Sequence, residues 1–238
     1  MIDLSKITDP YERKARLYPA LICLFPLMMS ISISYPQIYS TLSAFVALVI
    51  AVGGMQLLAH LARDKGKNIE PKLYEEWGGM PSVAILRYND QSIPTPAKIK
   101  YHNVLASESK IAAPTESYEK TNPEKADDIY TSWSDFLRGK ARDEKKYPLV
   151  FTELVNYGFR RNLFGIKWFC IFSAFIAIVI LILPQINHFV FSEIQIAVGL
   201  FLLVYVMIFI FVINGNWVKN VANAYAKSLI EILNIPNK

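Results

Sequence analysis

The chain has 238 residues, 53% of them hydrophobic, with a mean hydropathy of +0.27 and a formal net charge of +5. Its apolar residues lie in long uncharged blocks instead of amphipathic stripes, which excludes a simple soluble globule and points to membrane-crossing helices. The positive charge then reads first as the cytoplasmic Lys/Arg excess of a membrane protein, and direct nucleic-acid binding is disfavoured.

Charge is partitioned sharply along the chain. Between Arg63 and Lys167 lie 18 of the 25 Lys and Arg and 15 of the 20 Asp and Glu. No Lys or Arg occurs between Arg16 and Arg63, or between Lys167 and Lys219. Each gap is long enough to cross a bilayer and return. The fold class predicted is an all-α integral membrane protein, two transmembrane hairpins (four spans) flanking a mostly helical cytoplasmic domain. The segments are a cytoplasmic N-terminal lead at 1–17, hairpin 1 at 18–62, the cytoplasmic domain at 63–165, hairpin 2 at 166–213 and a cytoplasmic C-terminal helix at 214–238.

Asp9-Pro10 suits a helix start. The lead carries both signs of charge and runs into a first span at 18–34, read as a retained anchor and not a cleaved leader. Pro19 and Pro26 fall in that span. Each removes a backbone donor, so the span is expected to be kinked and packed where neighbours satisfy the freed carbonyls. Tyr35, Pro36, Gln37 and Tyr39 make the turn to a second span at 38–62, whose Gly53-Gly54 pair permits close approach or a bend. Cys23 and Cys170 lie on different hairpins and read as buried, reduced, apolar residues.

The polar domain opens with a short helix through Trp77, stopped by Gly78-Gly79. Residues 82–87 read as a brief strand and 107–121 as a loop. Thr95-Pro96 opens a helix. Asn122-Pro123 opens another, with Ala126, Ile129, Tyr130, Trp133, Phe136 and Leu137 on one apolar face. After Tyr147-Pro148 the last soluble helix leads into the third span, 166–183, and a short outer loop precedes the fourth, 193–213. The C-terminal helix places Trp217, Val221, Tyr225 and Leu229 at four-residue spacing beside Lys219 and Lys227. That stripe suits either a membrane surface or a dock on the soluble domain. All the basic residues fall on one side, so both termini and the middle domain are expected in the cytoplasm, at a bacterial inner membrane. Arg13, Lys14, Arg16, Arg63, Arg160, Arg161 and Lys167 flank the spans and suit anionic headgroups.

Catalytic signals are absent. The chain has no P-loop, no G-x-G-x-x-G and no G-x-S-x-G. His60, His102 and His188 are assigned to different places and cannot share a metal, so no metal, no cofactor and no enzymatic activity are expected. Lys98, Lys100 and His102 form the most site-like cluster, able to hold a phosphate or nucleotide. A charged ligand would otherwise be sought at Arg87 and at Arg138, Lys140 and Arg142. The spans hold no charged residue in mid-membrane, which argues against a charge-coupled transporter.

Asp9 to Ala20 (DPYERKARLYPA), Trp77-Gly78-Gly79-Met80-Pro81, Tyr147 to Phe151 (YPLVF) and Asn156 to Asn162 (NYGFRRN) resemble, as a set, a family of uncharacterised bacterial four-span inner-membrane proteins. In layout the chain is similar to membrane effectors of bacterial antiphage systems. What the layout implies is a non-enzymatic effector: the cytoplasmic domain senses a ligand or partner, and the spans assemble as a homo-oligomer to permeabilise or remodel the membrane. The rival expectation is an anchor or scaffold that recruits a cytoplasmic protein through Trp77, Trp133 and the C-terminal helix.

Overall fold

A computed structural model describes residues 11–39, 41–187 and 190–234, the side chains of 38–52 excepted. Among these residues every regular element is helical and there is no strand. A π-helical turn, Glu12–Leu17, leads into α1 (Tyr18–Ser34). There follow α2 (Thr41–Trp77), α3 (Pro81–Ala84), α4 (Thr95–Ser109), α5 (Glu116–Thr121) and α6 (Pro123–Lys140). The chain closes with α7 (Pro148–Gly165), α8 (Lys167–Ile182), α9 (Glu193–Phe211) and α10 (Gly215–Glu231). The expected helix start at Asp9-Pro10 lies outside the described residues.

Three sequence expectations change. The expected strand at 82–87 is α3 and the turn after it: Pro81 pre-sets the first helical turn, and the amides of Val83 and Ala84 both reach Met80 O at 2.8 Å. The expected loop at 107–121 contains α5, nucleated where Thr115 Oγ1 accepts from the Tyr118 amide at 3.1 Å. The short helix before Trp77 is the end of the 37-residue α2, which continues through Pro71. Pro71 and Lys67, whose carbonyl that proline frees, are both exposed, so water can take the place of the missing donor.

Three helices among the described residues are long and apolar enough to cross a membrane: Glu12–Ser34, Lys167–Gln185 and Glu193–Phe211. That is three and not the four expected. The remaining expected span, 38–62, falls largely on 38–52 and so outside the described side chains.

The chain divides into two compact units. The first comprises 1–70 and 158–218. Here α1 packs on α8, and α8 on α9. The seam is made of small residues, with Ala20, Cys23, Ala174 and Ala177 all buried, so that the backbones approach closely. Cys23 and Cys170 are free and buried as expected, and although they come from different hairpins they share one cluster. The outward side chains are large and apolar: Phe172 is 64% exposed, Phe175 62%, Leu200 60% and Phe211 65%.

Both prolines of the first span are matched by donors from distant helices. Pro26 leaves Ile22 O without its helical amide, and the Tyr205 hydroxyl of α9 donates to that oxygen at 2.9 Å. Pro19 likewise frees Ala15 O, and Asn162 Nδ2 of α7 donates to it at 2.7 Å. The expectation that neighbours satisfy these carbonyls is met, with both partners identified. Close by, Gly66 and Gly165 let α2 and α7 cross almost in backbone contact; a Cβ on Gly165 would lie 2.5 Å from the Gly66 nitrogen.

The second unit comprises 71–157 and 219–238. Its core holds Leu86, Leu105, Tyr130, Trp133 and Leu137, joined by Leu229, Ile230 and Ile232 from α10 and the turn after it. The apolar face expected on α6 is turned inward: Ala126, Tyr130, Trp133 and Leu137 are fully buried, and Ile129 and Phe136 pack at the edge. Of the two placements open for the C-terminal stripe, residues 219–234 take the dock into this core.

Candidate functional site

The polar groups of the second unit are held by the segment from Trp77 to Ile93. Helix α2 ends in a Schellman turn: Gly78, at φ 82°, donates to Glu75 O at 3.2 Å, and Gly79 donates to Tyr74 O at 2.7 Å. Both glycine amides are thereby used by the helix end and do not face a ligand. Arg87 clamps the turn, its Nη1 donating to Gly78 O at 2.6 Å while Nε and Nη2 grip Asp127 at 2.8 and 2.6 Å. A Cβ on Gly79 would meet Arg87 Nη2 at 2.6 Å, so the second glycine makes room for the guanidinium. The hydrogen bond to Asp127 holds Arg87 more firmly protonated than usual.

The Lys98–Lys100–His102 cluster predicted from the sequence is split by the helix it sits on. Lys98 is buried, and its ammonium donates to the carbonyls of Arg87 (2.5 Å) and Asp90. Burial lowers its pKa. His102 is buried against Tyr88, Tyr130 and Trp133, with Nε2 2.8 Å from Leu86 O. A carbonyl only accepts, so Nε2 carries the proton; desolvation holds the ring below its usual pKa and keeps it neutral. Lys100 points elsewhere, to Asn234 Oδ1 at 3.2 Å. Thus Lys98 and His102 organise the turn, and only Lys100 is on the surface.

The other predicted positions are mostly engaged within the chain. Arg138 pairs with Asp135 at 2.8 Å, Lys140 with Glu108 at 2.7 Å, and Arg142 is exposed. Trp133, expected on a recruiting surface, is fully buried. Among the span-flanking residues, Arg13 and Lys14 are exposed, Arg16 pairs with Glu12, and Arg63 lies 3.8 Å from Asp64. Arg160 stacks on Trp217 with its carbon 4.7 Å from the ring centroid. Lys167 donates to Ile213 O at 2.8 Å and caps the end of α9. Arg161, expected at a headgroup surface, is instead buried, held by Glu70 at 2.7 Å and by Asn162 Oδ1.

Two pockets open in the second unit. One, of about 420 Å³, is lined by Arg87, Lys120, Glu116, Glu119 and Asp127 beside Tyr88. Its cations are already matched: Arg87 to Asp127, and Lys120 to Glu116 at 2.7 Å. The other, of about 430 Å³, is lined by Trp77, Gly79, Lys219, Asn223 and Lys227 among others. Its one acid is Asp90, which accepts from the Ser92 amide and hydroxyl at 2.9 and 3.1 Å and lies 3.8 Å from Lys98. Neither Lys219 nor Lys227 is among the site residues expected from the sequence. The signal was their i, i+8 spacing with Asn223 between, on a different side of α10 from its apolar stripe. Among the described residues no group of His, Cys, Asp and Glu could hold a metal ion. No protein-family model, no curated protein and no solved structure matches the chain.

Proposed function

We propose that this chain is a membrane-anchored binding module. Its apolar helices hold it in a bacterial inner membrane with the basic residues on the cytoplasmic side, and its second unit carries the binding surface. One observation carries the choice over a pore-forming effector. The outward side chains of α8 and α9 are apolar from end to end, Phe172, Phe175, Leu200, Leu203 and Phe211 among them, and neither helix has a charged residue past its first turn. Such a face suits lipid. A water-filled path between copies needs a polar lining, which these helices do not present.

The reading is tested by alkaline extraction of membranes followed by reconstitution into dye-loaded liposomes. The anchor predicts a chain that resists extraction and liposomes that keep their dye at any protein density. Dye release that scales with protein density would overturn it and favour the assembling effector.

A further inference from the structure

We infer that the α10 pocket binds a small phosphorylated molecule. The inference rests on the second unit being the binding part of the chain. Lys219, Asn223 and Lys227 stand one helical turn apart in succession, so three donors follow one side of α10 over about 12 Å. All three line the same cavity, as does the half-buried Trp77. Phosphate is the group that such a row selects, because ammonium and amide donors match its several acceptor oxygens.

Charge decides between the two pockets. The cavity beside Tyr88 sets two cations against three carboxylates, and each of those cations already has a carboxylate partner. The α10 cavity sets two cations against one carboxylate, and Asp90 is turned to Ser92 and Lys98. The lining therefore carries a surplus of one positive charge. A volume of about 430 Å³ admits a molecule of mononucleotide size. Trp77 offers an aromatic wall on which a flat base can stack.

The experiment is calorimetric titration of the full chain in phosphatidylcholine nanodiscs, with ADP and, separately, with inorganic pyrophosphate. Saturable binding of at least one probe is expected. Lys219→Gln with Lys227→Gln should weaken it about tenfold or more, as loss of charge-assisted hydrogen bonds requires. Lys125→Gln, on exposed α6 surface, should leave it unchanged, and Lys219→Arg with Lys227→Arg should retain it. Repeating the titration in phosphatidylglycerol nanodiscs separates the sources of phosphate. Binding that competes away identifies a lipid headgroup, and binding that persists identifies a free phosphate; both support the site. Absence of saturable binding of either probe in phosphatidylcholine, or equal affinity in a double Gln variant whose melting is native, overturns it. Dye release from liposomes would sink the anchor reading and leave this titration standing.

Discussion

A proline inside an apolar helix creates a local deficit, and its repair can be read atom by atom. Ile22 O receives its hydrogen bond from Tyr205 because Pro26 has no amide to give. Removing the hydroxyl by Tyr205→Phe should therefore cost about 1–3 kcal/mol, the penalty for a buried acceptor left unmade. Pro26→Ala returns an amide four residues along from Ile22, so the hydroxyl becomes redundant. In that background Tyr205→Phe should cost much less. Thermal unfolding of the four detergent-solubilised proteins completes the double-mutant cycle. Equal costs in both backgrounds would show that Tyr205 acts through packing alone.

At the scale of the element, α10 shows what one amphipathic pattern leaves undetermined. An apolar stripe is satisfied equally by a bilayer surface and by a protein core, and the sequence of the helix does not choose. The choice comes from tertiary packing: Leu229 and Ile230 are fully buried with Trp133 and Leu137 in the second unit's core. Leu229→Ala should accordingly destabilise that unit by about 2–5 kcal/mol. Limited proteolysis should then cut within 71–157, while membrane retention is unchanged; Asn223→Ala, exposed on the same helix, should leave the cleavage pattern alone. Protection equal to native in Leu229→Ala would mean that the stripe rests on lipid. By contrast α6 was legible from its own residues, because Ala126, Tyr130, Trp133 and Leu137 repeat at helical spacing between charged ends. The need for partners at Pro19 and Pro26 was legible too. Their identity was not, because Asn162 and Tyr205 lie over a hundred residues away. The strand expected at 82–87 failed for a local reason: its Val-Ala-Ile-Leu run suits several structures, and Pro81 starts a helical turn there. The Lys98–Lys100–His102 cluster does not converge, because the helix that carries it buries Lys98 and His102 on one side and turns Lys100 out to the surface.

For the molecule as a whole the open quantity is the path of the chain across the bilayer, and the protein carries a convenient blank for measuring it. Its two cysteines are buried, Cys23 at 3% and Cys170 at 0% exposure, so the native chain should not react with a membrane-impermeant maleimide. Single cysteines can then be placed at exposed positions: Gln37 in the turn after α1, Ser132 on α6 and Asn187 in the loop before α9. The lopsided distribution of Lys and Arg predicts that Gln37→Cys and Asn187→Cys label on intact cells, and that Ser132→Cys labels only after permeabilisation. The Gln37–Ser132 comparison is the decisive one, because opposite sides require the stretch at 38–62 to cross the membrane and bring the spans to four. If Gln37→Cys and Ser132→Cys react from the same side, α2 does not cross. An odd number of crossings would then put the two ends of the chain on opposite sides of the membrane, and Lys219 and Lys227 could not be on the same side as Arg13, Lys14 and Arg16. The Lys/Arg distribution therefore predicts labelling on opposite sides, and labelling from one side would overturn the four-span layout expected from the sequence.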